Sequence, residues 1–159
     1  MSWIRAIHSV ISGWAIAGGF LLLVVVCINV FSVLGSAVLG KPFPGDFEMT
    51  EVGVCVAVFC FLPYCQLTGS NVSADLFTAG ASQRTLSVFA FFGSLVALLF
   101  SSVLVWRMYA GMLDQKKYEY TTAILQFPHW LAFVPILVSL ALLVVASFMT
   151  LTGKGATSS

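Results

Sequence analysis

The sequence predicts an all-α, polytopic membrane protein with four transmembrane helices and a short interfacial helix between helices two and three. Three observations lead to this fold class. The 159 residues are 60% hydrophobic and only 8% charged, with mean hydropathy +1.03, whereas an ordinary soluble domain is roughly 25% charged. Four long stretches are free of charge, and a helix needs about 20 apolar residues at about 1.5 Å each to cross hydrocarbon. Runs such as Leu21-Leu22-Leu23-Val24-Val25-Val26 lack the alternation of a membrane β-strand. So few charges exclude an ordinary soluble enzyme, a disordered chain and a free nucleic-acid binder. The formal net charge of +1 sets up no field that would attract phosphate, so no nucleic-acid partner is expected.

Taken in order, the spans are expected over about 12–38, 48–68, 86–107 and 130–152, all in a single membrane domain covering 1–159. The first charge-free run extends from Ala6 to Gly40. Arg5 precedes it as in a signal peptide, and Gly35-Ser36-Ala37 weakly mimics a cleavage site, but the run is too long for a signal h-region. A retained helix is therefore expected. The second run lies between Glu51 and Asp75, with its apolar part ending near Leu67. The third covers Thr85 to Trp106, and the fourth ends near Thr152, just before Lys154. Residues 153–159 are small and polar and are expected to form a mobile tail.

The joins carry most of the specific information. In the first, Pro42 and Pro44 cannot continue helix one, and Gly45 permits a turn. Asp46 is expected to cap helix two. Glu48 and Glu51 then fall in its first turns, on one face, where the helix dipole favours negative charge. In the second join, from Thr68 to Arg84, Val72, Leu76 and Phe77 are spaced to line one side of a short helix lying flat at the interface. The third join, from Arg107 to His129, holds Arg107, Lys116 and Lys117 among Tyr118, Tyr120 and Phe127, with Trp130 just beyond, a composition common at headgroup level. Arg107 can also snorkel from the end of helix three. Charge alone does not orient the chain. With four crossings, Arg5, Arg84 and Lys154 fall on one side, and Lys41, Arg107, Lys116 and Lys117 on the other.

Little in the chain suggests chemistry. Cys27, Cys55, Cys60 and Cys65 form no C-x-x-C pair and read as small buried hydrophobes. His8 and His129 fall at opposite faces of the membrane and cannot share a haem within one chain. The interiors of the four runs carry no ionisable residue of the kind that marks an ion pathway. Asn29 is the most polar central residue, and an interhelical hydrogen bond is its simplest use, a substrate contact the sharper one. Ser9, Gly13 and Ala17 form a small-residue row that would let another helix approach. Pro63 and Pro135 read as kinks rather than as broken-helix ion sites. No phosphate loop, metal cluster, cofactor site or nucleophile–base pairing appears, and no enzyme is expected.

The joins also carry a resemblance. Gly40-Lys41-Pro42-Phe43-Pro44-Gly45-Asp46-Phe47-Glu48, followed by Glu51, resembles the entry to helix two in the small transmembrane subunit of tripartite ATP-independent periplasmic (TRAP) transporters, the DctQ type. The likeness continues through Leu62-Pro63-Tyr64, Gln66, Gly69, Val72, Asp75 and Leu76, then Trp106-Arg107. It ends with Thr121-Thr122, Leu125, Phe127-Pro128-His129-Trp130 and Pro135. The chain departs from the family pattern at two points. The basic residue that members often carry shortly before the position of Gly69 is absent, and Asn71 stands where they often carry a histidine.

The resemblance implies a non-catalytic subunit that scaffolds a large, elevator-type membrane subunit in sodium-driven uptake of an organic acid or similar solute. A periplasmic substrate-binding protein would deliver that solute, docking on the face that holds the first and third joins. It also implies the bacterial inner membrane, with both termini cytoplasmic. Partner or lipid contacts are then expected at Asp46, Glu48, Glu51, Asn71, Asp75, Arg107, Pro128 and Trp130. For Glu48 and Glu51 a dipole-matched helix start remains the simpler role. Asp75 would either cap the interfacial helix or pair with a basic partner residue, and Trp130 would serve as an interfacial anchor before a docking contact. The alternative is a stand-alone, homo-oligomeric four-helix channel or carrier assembled through the Ser9, Gly13, Ala17 row.

Overall fold

The computed structural model describes residues 2–41, 43–69 and 83–152. Among them are four helices, α1 (Ser2–Leu39), α2 (Asp46–Thr68), α3 (Gln83–Lys117) and α4 (Trp130–Leu151). All four are long and apolar enough to cross a membrane. Among the described residues there is no strand, only an isolated antiparallel bridge between Thr121 and Pro128. The expected interfacial helix after α2 lies outside the described residues, as do Asn71, Asp75 and the tail.

Hydrocarbon offers no partner for backbone N–H and C=O groups, so a spanning segment must satisfy them within its own helix. The composition of the four runs therefore dictates their conformation. Two helices extend further than the charge-free runs suggest. α1 begins at Ser2 because Ile4, Ile7 and Ile11 continue the helical period and pack with Leu67, Ala146 and Met149. α3 continues past Arg107 to Lys117 because Met108 packs on the cluster formed by Ile136 and Leu140, and Gly111 lies beside the Phe133 ring. Lys116 and Lys117 sit in the last turn of α3, where they favour the helix dipole. α2 and α4 run unbroken through Pro63 and Pro135.

α1 packs on α2, α2 on α4, and α4 on α3. The α1–α2 pair is antiparallel and keeps one register along its length. Ser32 meets Asp46, Asn29 meets Thr50, Val25 sits on Gly53, Gly18 on Cys60, and Ile11 clusters with Leu67. Two glycines set the spacing of this seam. A Cβ at Gly18 would stand 2.6 Å from Cys60 Cβ and 3.3 Å from the Ala57 carbonyl oxygen, and one at Gly53 would collide with Val25. Without a hydrophobic drive between helices in lipid, such close approach is a main source of association. Cys60 is thus the small buried packing residue expected, Cys65 is half-buried, and Cys27 and Cys55 instead lie exposed on the helix surfaces; none of the four is in a disulfide. The Ser9, Gly13, Ala17 row instead faces outward, and a Cβ at Gly13 would touch nothing.

Polar side chains add interhelical bonds. Trp14 Nε1 donates to Ser139 Oγ at 2.8 Å, tying α1 to α4. Asn29 Nδ2 donates to Thr50 Oγ1 at 2.7 Å and to the Val25 carbonyl at 2.9 Å, the interhelical bond expected of it. The outward faces remain strongly apolar. Phe20, Phe31, Val38, Phe100 and Trp106 are each more than 65% exposed, a surface that only lipid or a protein partner can cover.

The seam predicts opposite outcomes for two glycines of α1. Gly18→Val should destabilise the detergent-solubilised chain by about 1–3 kcal/mol, the usual cost of overpacking. Gly13→Val should change its stability by less than about 0.5 kcal/mol. Thermal unfolding followed by tryptophan fluorescence checks both.

Candidate partner interface

The connections before α2 and before α4 meet at one end of the bundle, where they are laced together by α2's first turn. α1 ends at Gly40, whose φ of +69° closes the helix while its N–H donates to the Ser36 carbonyl at 3.0 Å. The chain then turns at Gly45, φ +83°, a left-handed conformation that a side chain disfavours. The Gly45 carbonyl accepts the first helical bond, from Met49 N–H at 3.0 Å. Gly45, not Asp46, therefore occupies the cap position, and Asp46 is the first helical residue. The Asp46 carboxylate still serves the helix start. It accepts from Phe47 N–H at 2.7 Å and from the Ser32 hydroxyl of α1. Ser32 Oγ in turn accepts the Phe43 N–H at 3.1 Å, so one buried serine fixes both the turn and the helix entry.

At this end of the bundle Glu48 makes the connection between residues farthest apart in the chain. Its two carboxylate oxygens accept the backbone N–H groups of Ile124 and Leu125, at 2.7 and 2.9 Å. Leu125 then lies against Gly45, where a Cβ would stand only 2.5 Å from Leu125 Cγ. The turn glycine thus gives both the backbone conformation and the space that the 118–129 connection needs. That connection is itself folded. Thr122 N–H donates to the Phe127 carbonyl, Phe127 N–H returns to Thr122 Oγ1, and His129 N–H donates to the Tyr120 carbonyl, each at 3.0 Å. Glu119 and Gln126 take left-handed φ of +51° and +52° to close it. Beneath it runs an apolar groove of about 550 Å³ between α1 and α2, reached by Leu21, Val25, Met49, Val52, Leu125 and Phe127.

The structure brings Asp46, Glu48, Pro128 and Trp130 to this one end. Pro128 pairs with Thr121 in the isolated bridge, and Trp130 opens α4 with Lys116 Nζ 5.3 Å from its ring centroid, a cation–π contact. Glu51 sits on the second turn of α2 and is exposed, on a side shared with exposed Phe47 and Val54. Arg107 stands apart, well inside α3 rather than in a join. Ser32, Thr50, Thr122 and Leu125 escaped the sequence reading. Only Thr122 and Leu125 gave a signal, as part of the family-like Thr121-Thr122 and Leu125 positions.

Four apolar spans, with the charged side chains other than Arg107 gathered near helix ends among the described residues, define a small multi-pass membrane protein. Comparison with family models gives its affiliation. The model of the DctQ component of tripartite ATP-independent periplasmic transporters matches residues 22–154, and the chain belongs to that family. It is thus the small membrane subunit of a TRAP transporter, part of a tripartite complex with the other TRAP components. No curated protein and no solved structure matches the chain at a significant level.

Breaking the lacing should loosen the 118–129 connection while leaving the four helices formed. Glu48→Ala should speed hydrogen exchange at the Ile124 and Leu125 amides, with unchanged helix content by circular dichroism. Gly45→Ala should destabilise the same end by at least about 1–2 kcal/mol, the cost of a left-handed conformation for a residue with a Cβ.

Proposed function

We propose that this subunit is a non-catalytic scaffold that holds the static part of a large, elevator-type TRAP subunit in the bacterial inner membrane. The observation that carries this reading is the family match combined with what the bundle's surface offers. The chain exposes broad apolar helix faces, and the end where the 118–129 connection lies is braced by fixed hydrogen bonds. A scaffold needs wide contact area and rigid ends, whereas a carrier needs an internal polar site. Two of the polar pairs inside this bundle join helices, Trp14 with Ser139 and Asn29 with Thr50, while His8 Nε2 and Ser147 Oγ are buried without a partner among the described residues.

In this reading both termini are cytoplasmic, and the laced end faces the periplasm, where the substrate-binding protein docks on the complex. Sodium coupling and recognition of the organic acid or similar solute belong to the other components. Glu51, Pro128 and Trp130 are the groups at the laced end that reach a partner, and lipids fill the remaining apolar surface. Asp46 and Glu48 act there indirectly, by fixing the surface that is presented.

A strain deleted for this chain alone should lose uptake of the transported solute to background, and a plasmid copy should restore it. Normal uptake in the deletion strain would overturn the reading. The outward Ser9, Gly13, Ala17 row is what a stand-alone channel would assemble through, so the pure chain should also be reconstituted in liposomes. The scaffold reading expects no flux above that of empty vesicles.

A further inference from the structure

Arg107 is a charge at an unexpected depth. α3 runs antiparallel to α4, with Gly111 beside Phe133, with Leu104 and Met108 packed on the cluster of Ile136 and Leu140, and with Leu98 lining a groove with Val144 and Phe148. Arg107 therefore lies level with Ile136, six residues into α4 from Trp130, or about 9 Å below that headgroup-type tryptophan. Ile136 and Leu140 also cluster with Val56 and Cys60 of α2, and Gly18 of α1 sits on Cys60 while Val25 sits on Gly53. The level of Arg107 thus crosses α1 between Gly18 and Val25, near its middle.

At that depth Arg107 is exposed and has neither a hydrogen bond nor an ion pair among the described residues. Val96, Phe100, Val103 and Trp106, each more than half exposed, precede it along α3. A bilayer interior holds no anion, and charged side chains inside membranes turn to protein or water and pair there. The planar guanidinium fork matches a carboxylate through two parallel hydrogen bonds. Lipid phosphate is the other anion available; it sits near the level of Trp130, about 9 Å further out, where a snorkelling guanidinium would meet it, and the test below separates the two.

We propose that the outward face of α3 docks a transmembrane segment of the large TRAP subunit, and that Arg107 pairs there with an intramembrane carboxylate of that subunit. The proposal rests on the scaffold reading above and adds where the contact lies and what chemistry fixes it. Apolar residues from Val96 to Trp106 provide the packing, and the ion pair sets its register, since a mismatched depth would leave two charges in hydrocarbon.

The test uses the complex co-expressed in its native membrane. A photoreactive residue at Trp106 should crosslink to the large subunit, and one at the equally exposed Phe20 of α1 serves as the comparison face. Arg107→Leu should reduce co-purification of the large subunit about tenfold or more while the chain alone elutes and melts as wild type. Arg107→Glu should lose association likewise, and arginine in place of one intramembrane carboxylate of the large subunit should restore it. Wild-type association retained by Arg107→Leu, or crosslinking from Trp106 to lipid alone, would overturn the proposal and leave the scaffold reading standing. Loss with Arg107→Leu that no charge exchange restores would overturn the carboxylate. Failure of the wild-type chain to associate would remove the scaffold reading itself.

Discussion

The structure depends on one constraint, the close approach of α1 to α2. Lipid tails are as apolar as leucine, so these helices gain nothing from simply hiding hydrophobic surface from one another. What holds them is contact at short range, and Gly18 and Gly53 make that possible by leaving room for Cys60 and Val25. The seam aligns Ser32 with Asp46 and Asn29 with Thr50, and so places the start of α2. Once α2 starts there, Glu48 is in reach of the Ile124 and Leu125 amides, and the connection before α4 is fixed in turn. The order of causes runs from two missing side chains in the membrane to the shape of the surface outside it.

This arrangement divides the labour among charges. Asp46 and Glu48 are consumed inside the chain, by a serine, a helix start and two loop amides. Glu51 and Arg107 are left outward, one near the laced end and one deep on α3. A carboxylate spent on backbone amides shapes a surface without being offered to a partner. An unpaired charge on an apolar face costs free energy in lipid and is relieved only by a partner or by water. The distinction between these two kinds of charge separates groups that brace the chain from groups left free to meet a partner.

Much of the fold was legible in the sequence, because crossing hydrocarbon is a requirement on length and composition alone. Helices came from charge-free runs, the turn before α2 from Pro42, Pro44 and Gly45, and the bond of Asn29 from its isolation among apolar neighbours. The ends of α1 and α3 were not legible by the same rule. Arg107 interrupts an apolar run without interrupting the helix, since its side chain leaves the backbone bonds intact. The cap was displaced by one residue because the left-handed turn at Gly45 closes the ladder itself. The Glu48 lacing joins residues 76 apart in the chain, and periodicity carries no information about such pairs. The same holds for the packing order, in which α4 inserts between α2 and α3. The Ser9, Gly13, Ala17 row shows the converse, a close-packing pattern that the chain's own helices do not use.

The central claim is that the exposed faces of this subunit are completed by a much larger membrane partner. The most direct measurement is purification of the tagged chain from its native membranes in mild detergent, with mass spectrometry of the intact assembly. The account predicts a single, much larger polytopic protein in equal amount with this chain. Recovery of the chain by itself, as a homo-oligomer that survives crosslinking, would contradict it.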